Sequence, residues 1–414
     1  MFNTISDALN YLFVQENKNK NLNNLKEFII NKDLYPRFKT IIITGTNGKG
    51  SVLHYLRNIL KNIMHVGIFQ SPHIYQYNER IMINDRMISN AEIMYYAEIA
   101  KEYSEEYNNI YHSNLSFFEL TFIISLMYFK DREIDFAIYE VGIGGLHDTV
   151  NVLDSEAAII TNIGYDHMSK LGNTKEDIAK EKLGITRKNK ILFTTENDLI
   201  KLFEDKCNKD NIKLINVSND IKDIKSDINK TSFIYKNKYY ELNMLEKFQA
   251  YNASLAIEVS SYFFNKLKYE TIYDSLKLSY IPCRMEIIKK DPYIIVDGAH
   301  NISAIEKEII FLKNNFNNKK IYCLFVALND KEYEKEIKLL DEIIYKYYFV
   351  EFEDKRKLDS NILFNLTNNK KEIINNLEDF ISNLKLNEDE ILLVTGSLHF
   401  ASNFKKNYNL INNK

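Results

Sequence analysis

The chain has 414 residues, of which 45% are hydrophobic and 27% are charged, and its formal net charge is −3. This composition is typical of a globular protein, and the length predicts two domains, or three. The near-neutral charge gives no argument for a nucleic-acid partner. No apolar run reaches membrane-spanning length, and the cysteines (Cys207, Cys283, Cys323) lie far apart without metal-ligand spacing. We therefore expect a cytoplasmic protein without a membrane partner, in which the cysteines are buried small hydrophobes.

Strands and helices are predicted to alternate along the first part of the chain. The β-branched run Thr40–Ile43 predicts a buried parallel strand, and the apolar spacing from Val52 to Ile59 predicts a helix after it. Further strands are expected at 66–69, 136–139 and 157–160, helices at 91–107, 117–129 and 248–264, and a hairpin at 233–235 and 239–242. Such an order indicates an α/β fold.

The alternation restarts beyond the stretch Pro282–Pro292, which is the predicted domain boundary. Strands are expected at 293–296, 321–326, 348–352 and 391–394, and helices at 303–314, at 333–345, near 373–384 and from about 398. We divide the chain into residues 1–284 and 285–414, the second domain having no phosphate loop of its own. The Asn- and Lys-rich tracts at 18–24, 314–320 and 367–371 are expected to be surface loops.

The segment between the first strand and its helix, Thr44–Ser51, reads TGTNGKGS. A Gly-rich turn between a strand and a helix cradles phosphate groups, because its backbone N–H groups turn inward and the helix N-terminus is partly positive. Lys49 adds a full positive charge, and Ser51 offers a hydroxyl to Mg²⁺. Gly50 between them departs from the common spacing of this motif. We interpret the segment as a phosphate-binding loop, with an ordinary Gly-rich turn as the alternative.

Polar or Gly-rich residues follow four consecutive predicted strands. The segments are Thr44–Ser51, Ser71–His73, Glu140–Gly145 and Thr161–Gly164. Because ligands bind beyond the carboxyl ends of the strands in doubly wound sheets, these segments suggest one shared site. A buried carboxylate at Glu140 is costly without a cation, although a salt-bridged acid at a strand end is the alternative.

Taken together, the motifs of this chain resemble one family. In chain order they are GTNGKGS, SPH, NERI, FFE, EVGIGG, DH, IAKEKLGI, NASLA, DGAHN and TGSL. The chain resembles the folylpolyglutamate synthase/dihydrofolate synthase family of the Mur ligase superfamily over nearly its whole length. The resemblance implies a P-loop-containing Mur-ligase-like ATPase domain with a mainly parallel sheet. It also implies a smaller, Rossmann-like α/β domain at the C-terminal end, with a role in glutamate binding.

The resemblance further implies an ATP-dependent ligase. Such an enzyme joins L-glutamate to a reduced folate, to 7,8-dihydropteroate or to both through an acyl phosphate, and it releases ADP and phosphate. ATP and two Mg²⁺ ions are the implied cofactors. Two alternatives stay open: a Mur-like amide ligase for another carboxylate acceptor, and a non-catalytic nucleotide-binding homologue. A small P-loop kinase would explain neither the second domain nor the DGAHN motif. We expect small-molecule substrates and a monomer.

The nucleotide-binding, metal-binding and catalytic residues also follow from the resemblance. The implied ATP-binding residues are Gly48, Lys49, Gly50, Ser51, Asn252, Arg284 and Asp297. The implied metal ligands are Ser51, Ser71, Glu140, His167 and a CO₂-carbamylated Lys182. The implied catalytic residues are Lys49, Lys182, Arg284 and His300. Carbamylation gives a lysine a carboxylate-like group that can bind a second Mg²⁺. Unmodified, Lys182 would be a surface lysine or a phosphate contact, and only its motif position separates it from Lys175 and Lys180. For His300, capping of the following helix is the alternative.

An acceptor site is implied as well. Its residues are Ser116, Phe117, Phe118, Glu119, His147, Asp148 and Thr149. Aromatic rings stack on a flat pterin and a carboxylate suits its amino-pyrimidinone edge, although periodicity alone favours the two phenylalanines as core residues. Leu146 stands where the family usually has an arginine, which removes a clamp for a carboxylate or phosphate. His147 is expected to replace it in part.

Overall fold

The computed structural model describes residues 2–354 and 356–412, which form two units. The first unit contains the chain up to Ile163, Met168–Asp220 and Tyr251–Leu276. The second contains Gly164–His167, Ile221–Ala250 and the chain from Lys277 onward. Among the described residues, no helix is both long and apolar enough to span a membrane.

The first unit combines one large sheet with helices. Its strands are β1 (Lys39–Thr44), β2 (Val66–Phe69), β3 (Ile81–Ile83), β4 (Arg86–Met87), β5 (Phe136–Glu140), β6 (Ala157–Ile160), β7 (Ile191–Thr194) and β8 (Lys213–Asn216). Its helices are α1 (Ile5–Phe13), α2 (Leu22–Asn31), α3 (Lys49–Leu60), α4 (Asn90–Tyr111), α5 (Phe117–Asp131), α6 (Met168–Leu171), α7 (Lys175–Leu183), α8 (Ile200–Asp210) and, in the main, α9 (Phe248–Phe263) and α10 (Tyr269–Lys277).

The strands of this sheet pair in the order β4-β3-β2-β5-β1-β6-β7-β8. From β2 to β8 every pairing is parallel, and only the β2–β3 and β3–β4 pairings are antiparallel. Ile41, Ile42 and Ile43 of the central strand are completely buried, as expected for a strand that is covered on both faces. The predicted mainly parallel sheet is confirmed. The carboxyl ends of β2, β5, β1 and β6 therefore meet at one edge.

The second unit contains a smaller mixed sheet and an antiparallel meander. Its strands are β9 (Ile221–Ser226), β10 (Thr231–Tyr235), β11 (Lys238–Leu242), β12 (Glu286–Lys290), β13 (Tyr293–Val296), β14 (Lys320–Phe325), β15 (Ile344–Phe349), β16 (Lys370–Ile373) and β17 (Glu390–Thr395). Its helices are α11 (Ile302–Phe316), α12 (Tyr333–Leu340), α13 (Ser360–Leu366), α14 (Leu377–Asn383) and α15 (Leu398–Asn412). The mixed sheet has the order β12-β13-β17-β14-β15-β16, and β10 and β11 form the predicted hairpin. A second α/β unit is thus confirmed.

Two predicted elements of this unit are wrong. The helix expected over 333–345 ends at Leu340, and the strand expected over 348–352 is β15 at Ile344–Phe349. Ile344, Tyr347 and Phe349 are buried, because parallel pairing with β14 places them in the core. This tertiary pairing overrides the local helical spacing.

The Asn- and Lys-rich tracts are not simply loops, contrary to the prediction. Residues 314–316 end α11, and the last two residues of the tract 367–371 begin β16, which is the edge strand of its sheet. Lysine is well suited to such an edge, because its charge discourages pairing with another chain. The three cysteines are buried and free, as predicted.

Two acidic side chains lie in the interior of the second unit. Glu308 of α11 and Glu336 of α12 are completely buried, and among the described residues no group hydrogen-bonds to the carboxyl oxygens of Glu336. Burial raises the pKa of Glu336 to about 7. The positive charge of Lys331 partly opposes this rise, and the negative charges of Asp166 and Glu332 add to it. Burial also holds the pKa of Glu308 well above its usual range. Both groups are therefore expected to prefer the protonated form inside the fold.

This burial predicts a pH-dependent stability. The pKa of Glu336 is about 4.5 in the unfolded chain and about 7 in the folded chain. Its contribution to the free energy of unfolding is therefore fully present below about pH 4.5 and is lost as the pH rises through 7. The loss is about 3 kcal/mol. We expect Glu336→Met to stabilise the chain by this amount at pH 8 and by much less at pH 5, as measured by urea unfolding. Glu334→Gln, at an exposed position of the same helix, is the control. Equal effects of Glu336→Met at both pH values would contradict the prediction.

Candidate functional site

The phosphate loop lies where the sequence predicts it, between β1 and α3. Gly48 is the N-cap of α3 and has φ +87°, a left-handed conformation that suits glycine. A Cβ atom at Gly48 would lie 2.4 Å from Oδ1 of Asn252 in α9, so a side chain would collide with that amide. The structure thus brings the predicted residue Asn252 directly against the loop, although it lies 204 positions after Gly48 in the sequence.

Residues at the end of β6 fix the loop from the other side. The backbone N–H of Asn47 donates to Oδ1 of Asn162 at 3.1 Å, and Nδ2 of Asn162 donates to the Asn47 carbonyl at 2.9 Å. The hydroxyl of Thr161 donates to the same carbonyl at 2.6 Å. Neither residue was among the predicted site residues. The only sequence signal was their position at a polar strand end.

The ammonium of Lys49 lies over the loop. Its Nζ donates to the carbonyl oxygens of Gly45 at 3.0 Å and Thr46 at 3.3 Å. The charge therefore stands at the N-terminal end of α3, where the helix dipole also favours an anion. Ser51, in the first turn of this helix, is buried. This arrangement suits the binding of a triphosphate.

Glu140 ends the strand next to the loop. It is 5% exposed, and its Oε2 accepts a hydrogen bond from the backbone N–H of Ser71 at 3.2 Å, so the structure brings these two predicted metal ligands together. The hydroxyl of Ser71 also accepts from Arg80 at 3.2 Å. Arg80 belongs to the NERI motif but was not predicted as a site residue. Register places Glu140 beside Ile43 of β1, at the edge of the sheet that carries the phosphate loop.

The donor set at this edge suits Mg²⁺. In the described part of the chain, no three His, Cys, Asp or Glu side chains converge on a common metal position. Mg²⁺ does not need such a cage, because it commonly takes one or two carboxylates and completes its shell with water and phosphate oxygens. The carboxylate of Glu140 and the hydroxyls of Ser51 and Ser71 are hard oxygen donors of this kind.

The structure separates Lys182 from its neighbours, which the sequence could not do. Lys182 of α7 is only 4% exposed, whereas Lys180 is exposed and Lys175 approaches Asp198 at 3.7 Å. A buried lysine is a better candidate for a special chemical role than a solvated one. The preceding residue, Glu181, accepts hydrogen bonds from the backbone of Leu146 and His147. Helix α7 therefore connects Lys182 to the predicted acceptor segment.

Asp148 organises that segment. Its carboxylate accepts backbone N–H groups of Gly142 at 3.1 Å, Ile143 at 3.2 Å and Val150 at 3.1 Å. Burial raises the pKa of Asp148, although these bonds and the charge of Lys20 oppose the rise. Its oxygens are therefore largely committed to the fold. Among the described residues, the buried hydroxyl of Thr149 has no hydrogen-bond partner.

The FFE motif begins helix α5. Ser116 and Glu119 form a capping box, and Glu119 also accepts two hydrogen bonds from the amide of Asn17. The rings of Phe117 and Phe118 are half-buried and pack against the core of the first unit. Their predicted contact with an acceptor stays a prediction, and their packing role is observed.

Asp297 of the DGAHN motif is buried in the second unit. Burial raises its pKa to about 6, although the charge of Arg284 and hydrogen bonds from nearby backbone N–H groups oppose the rise. Burial and the negative charge of Asp297 in turn hold the pKa of Glu246 well above its usual range. The charge of Arg284 thus acts on Asp297 and on Glu246, a residue that the sequence did not single out.

His300 and Asn301 precede helix α11. Asn301 caps this helix by accepting the backbone N–H of Ala304 at 3.0 Å, so the alternative role of His300 as the cap is wrong. Nδ1 of His300 is 2.7 Å from the carbonyl of Gly298, which fixes the proton on Nδ1 and leaves Nε2 as an acceptor. Burial, assisted by the charge of Lys331, lowers the pKa of His300 to about 4, so its ring is neutral at pH 7.

An ion pair that the sequence did not predict lies beside His300. Nζ of Lys331 is 2.9 Å from Oδ1 of Asp166, and their side chains are 7% and 12% exposed. Although burial opposes ionisation, Lys331, His167 and His300 hold the pKa of Asp166 well below its usual range. Asn301 also donates to Asp166, at 3.4 Å. The pair therefore fixes the segment that carries the predicted ligand His167.

Breaking this pair is expected to be costly. Lys331→Met leaves the carboxylate of Asp166 buried without its partner, which destabilises a fold by about 3 kcal/mol. We expect the double change Asp166→Asn with Lys331→Met to recover most of that loss, as measured by urea unfolding. Lys335→Met, which removes only an exposed pair with Glu332, serves as the control. The prediction would be contradicted if the losses of stability caused by Asp166→Asn alone and by Lys331→Met alone simply added up in the double variant.

Comparisons with known proteins agree with these features. Residues 43–260 match the Mur ligase middle domain, and residues 283–398 match the Mur ligase glutamate ligase domain. A dihydrofolate synthase/folylpolyglutamate synthase of Bacillus subtilis (strain 168) is 30% identical over 389 residues, which cover 89% of this chain and 90% of that protein.

Solved structures share the fold. A folylpolyglutamate synthase of Thermotoga maritima superposes with a TM-score of 0.84 at 26% identity, covering 99% of this chain and 97% of that one. A bifunctional folylpolyglutamate synthase/dihydrofolate synthase with Mn, AMPPNP and L-glutamate bound has a TM-score of 0.84 at 25% identity, with 97% of each chain covered. From its motifs, its two α/β units and these matches, the chain belongs to the folylpolyglutamate synthase/dihydrofolate synthase family of Mur ligases.

Proposed function

We propose that this chain is an ATP-dependent ligase that adds L-glutamate to a reduced folate, to 7,8-dihydropteroate or to both. The observation that carries the proposal is the edge of the large sheet, where the loop holding Lys49 and the buried acid Glu140 end adjacent strands. A cation and a hard oxygen donor at one sheet edge suit a magnesium nucleotide. Family membership supplies the amide-forming reaction.

The proposed reaction has two steps. A carboxylate oxygen of the acceptor attacks the γ-phosphorus of ATP, and ADP leaves. The amine nitrogen of glutamate then attacks the acyl carbon, and inorganic phosphate leaves as the amide bond forms. Phosphoryl transfer depends mainly on positioning and charge neutralisation, so the protein needs anion binders rather than a nucleophile of its own.

The nucleotide contacts are assigned on this basis. Gly48, Lys49, Gly50 and Ser51 bind the phosphates, with Lys49 compensating the charge on the transferred group. Asn252 supports the loop from α9 through its close approach to Gly48. Arg284 and Asp297 are proposed nucleotide-binding residues of the second unit.

The metal ligands are proposed to be Ser51, Ser71, Glu140 and His167. A carbamate on Lys182 is the proposed ligand of a second ion, and the burial of this lysine supports the choice over Lys180. Bound Mg²⁺ would neutralise negative charge on the phosphates. The hydrogen bond from the backbone N–H of Ser71 orients the carboxylate of Glu140 for metal binding.

The substrate contacts are proposed as follows. Phe117 and Phe118, with Ser116 and Glu119, form one side of the acceptor site, and His147, Asp148 and Thr149 form another. His300 is neutral at pH 7, so its Nε2 can accept a hydrogen bond from the amine of the incoming glutamate. It thereby orients that amine.

A Mur-like ligase for a different carboxylate acceptor is the second candidate. It is favoured by Leu146, because an exposed aliphatic side chain cannot make the bidentate contact that an arginine would. The reaction chemistry would be the same and only the acceptor would differ.

One assay tests the proposal. The purified chain is incubated with ATP, Mg²⁺ and L-glutamate, together with tetrahydrofolate or 7,8-dihydropteroate, and phosphate release and product mass are followed. We expect phosphate only when both the acceptor and glutamate are present, with a product heavier by one glutamyl residue. Nucleotide binding without turnover of either acceptor would overturn the proposal.

A further inference from the structure

Lys20 brings a positive charge to the predicted acceptor segment at His147. It lies in the loop between α1 and α2, and its Nζ donates to the carbonyl oxygen of His147 at 2.8 Å, across 127 residues of sequence. Leu146, beside this carbonyl, is 44% exposed and carries no charge. The cation at this segment therefore comes from a different part of the chain.

The charge of Lys20 remains available for an anion. Its hydrogen bond is to a neutral carbonyl, and an ammonium has three donor hydrogens, so two are left over among the residues that the structure describes. The nearest acid in the segment, Asp148, is buried and spends its oxygens on the backbone N–H groups of the loop. The side chain of Lys20 is exposed, so a ligand can reach it.

The loop that carries Lys20 is held in place. Asn17 donates to both carboxyl oxygens of Glu119, at 3.3 and 3.1 Å. Its Oδ1 accepts from the backbone N–H of Asn19 at 2.9 Å and from the hydroxyl of Ser113 at 3.2 Å. The loop is therefore braced against the FFE end of helix α5, and the ammonium has a defined position beside His147.

We propose that Lys20 selects acceptors that carry a second carboxylate besides the one that reacts. This inference rests on the proposed function and deepens it by naming a substrate class. Dihydropteroate has one carboxylate, which the reaction consumes. The glutamyl group of a tetrahydrofolate has two, so one stays free to pair with the ammonium. Folates that are already glutamylated gain from Lys20, and dihydropteroate does not.

Equilibrium binding tests the proposal without relying on turnover. The full-length chain and its variants are titrated with tetrahydrofolate and with dihydropteroate in the presence of Mg²⁺ and a non-hydrolysable ATP analogue. We expect Lys20→Met to weaken tetrahydrofolate binding about tenfold, as for the loss of a charge-assisted hydrogen bond, and to change dihydropteroate binding less than about twofold. Lys20→Arg keeps the charge and should bind both acceptors as the wild type does.

Two further variants make the result specific. Lys18→Met, at an exposed lysine of the same loop that lines a cavity of about 430 Å³, serves as the control and should leave both acceptors unaffected. Adding Leu146→Arg to Lys20→Met should restore part of the tetrahydrofolate affinity. The difference between wild type and Lys20→Met should also shrink at high salt, because the interaction is between exposed charges.

The outcomes separate this inference from the proposed function. Equal weakening of both acceptors by Lys20→Met, or no weakening of tetrahydrofolate binding, would overturn the role of Lys20. A wild-type chain that binds both acceptors but forms no amide would refute the proposed ligase activity. The effect of Lys20→Met on the affinity for each of the two acceptors would still decide the role of Lys20. A wild-type chain that binds neither acceptor would overturn both.

Discussion

Replacing Lys49 with methionine is expected to lower the rate of ATP-dependent amide formation by about a thousandfold, because a preorganised charge on the transferred phosphoryl group is lost. The ammonium is held by the carbonyls of Gly45 and Thr46 at the start of α3. Methionine keeps most of the length of the side chain and removes the charge together with the two hydrogen bonds of the ammonium. Steady-state phosphate release with all substrates present measures the effect.

Lys61 provides the matched control for this substitution. It directly follows the same helix, and its ammonium pairs with Asp85 at 2.8 Å on the surface. Lys61→Met should keep the activity within about twofold, since an exposed pair contributes little. A Lys49→Met variant that retains a tenth or more of the wild-type rate would remove the phosphate loop from the proposed chemistry.

Glu140→Gln is expected to lower turnover about a hundredfold at fixed Mg²⁺ and to raise the Mg²⁺ requirement at least about tenfold, because the anionic ligand becomes neutral. Glutamine retains an oxygen that can accept the hydrogen bond from Ser71, so the fold should be preserved. Activity measured over a Mg²⁺ titration gives the first readout. Mn²⁺ binding followed by electron paramagnetic resonance, with a non-hydrolysable ATP analogue, gives the second.

Glu156 provides the control for this change. It lies just before β6 and pairs with Lys190 at 3.1 Å, away from the carboxyl ends of the strands. Glu156→Gln should leave the metal dependence unchanged. If Glu140→Gln bound Mn²⁺ as tightly as the wild type, Glu140 would be a structural acid and not a metal ligand.

The sequence predicted the fold well where local patterns and long-range pairing agree. The buried run before the phosphate loop is a central parallel strand, and the apolar spacing after it is helix α3. Prediction failed at 333–345, where α12 stops at Leu340 and β15 begins at Ile344. Pairing of β15 with β14 decides that boundary, and a local window contains no information about the distant strand.

The site was predictable in its motifs but not in its partners. Lys331 and Asn162 were not predicted because their partners are more than a hundred residues away in the sequence. Lys331 pairs with Asp166, and Asn162 hydrogen-bonds to Asn47. The burial of individual motif residues could not be predicted from the sequence either. The motif position of Lys182 was known, but only the structure distinguishes it from exposed Lys180.

Asp148 shows that a polar motif residue can have a structural role that its motif does not reveal. Its carboxylate is occupied by three backbone N–H groups, so its main observed role is to shape the loop that presents His147. Lys20 shows how a loop whose sequence carries no motif can place a positive charge beside His147. Neither relation can be inferred from spacing along the chain.

Transfer of a heavy-oxygen label tests the central claim most directly. The acceptor is prepared with both oxygens of its reacting carboxylate labelled, and the phosphate released during amide formation is analysed by mass spectrometry. Attack of that carboxylate on the γ-phosphorus of ATP predicts one labelled oxygen in each phosphate released, together with ADP. Unlabelled phosphate, or the formation of AMP and pyrophosphate, would contradict the acyl phosphate and with it the ligase mechanism proposed for this chain.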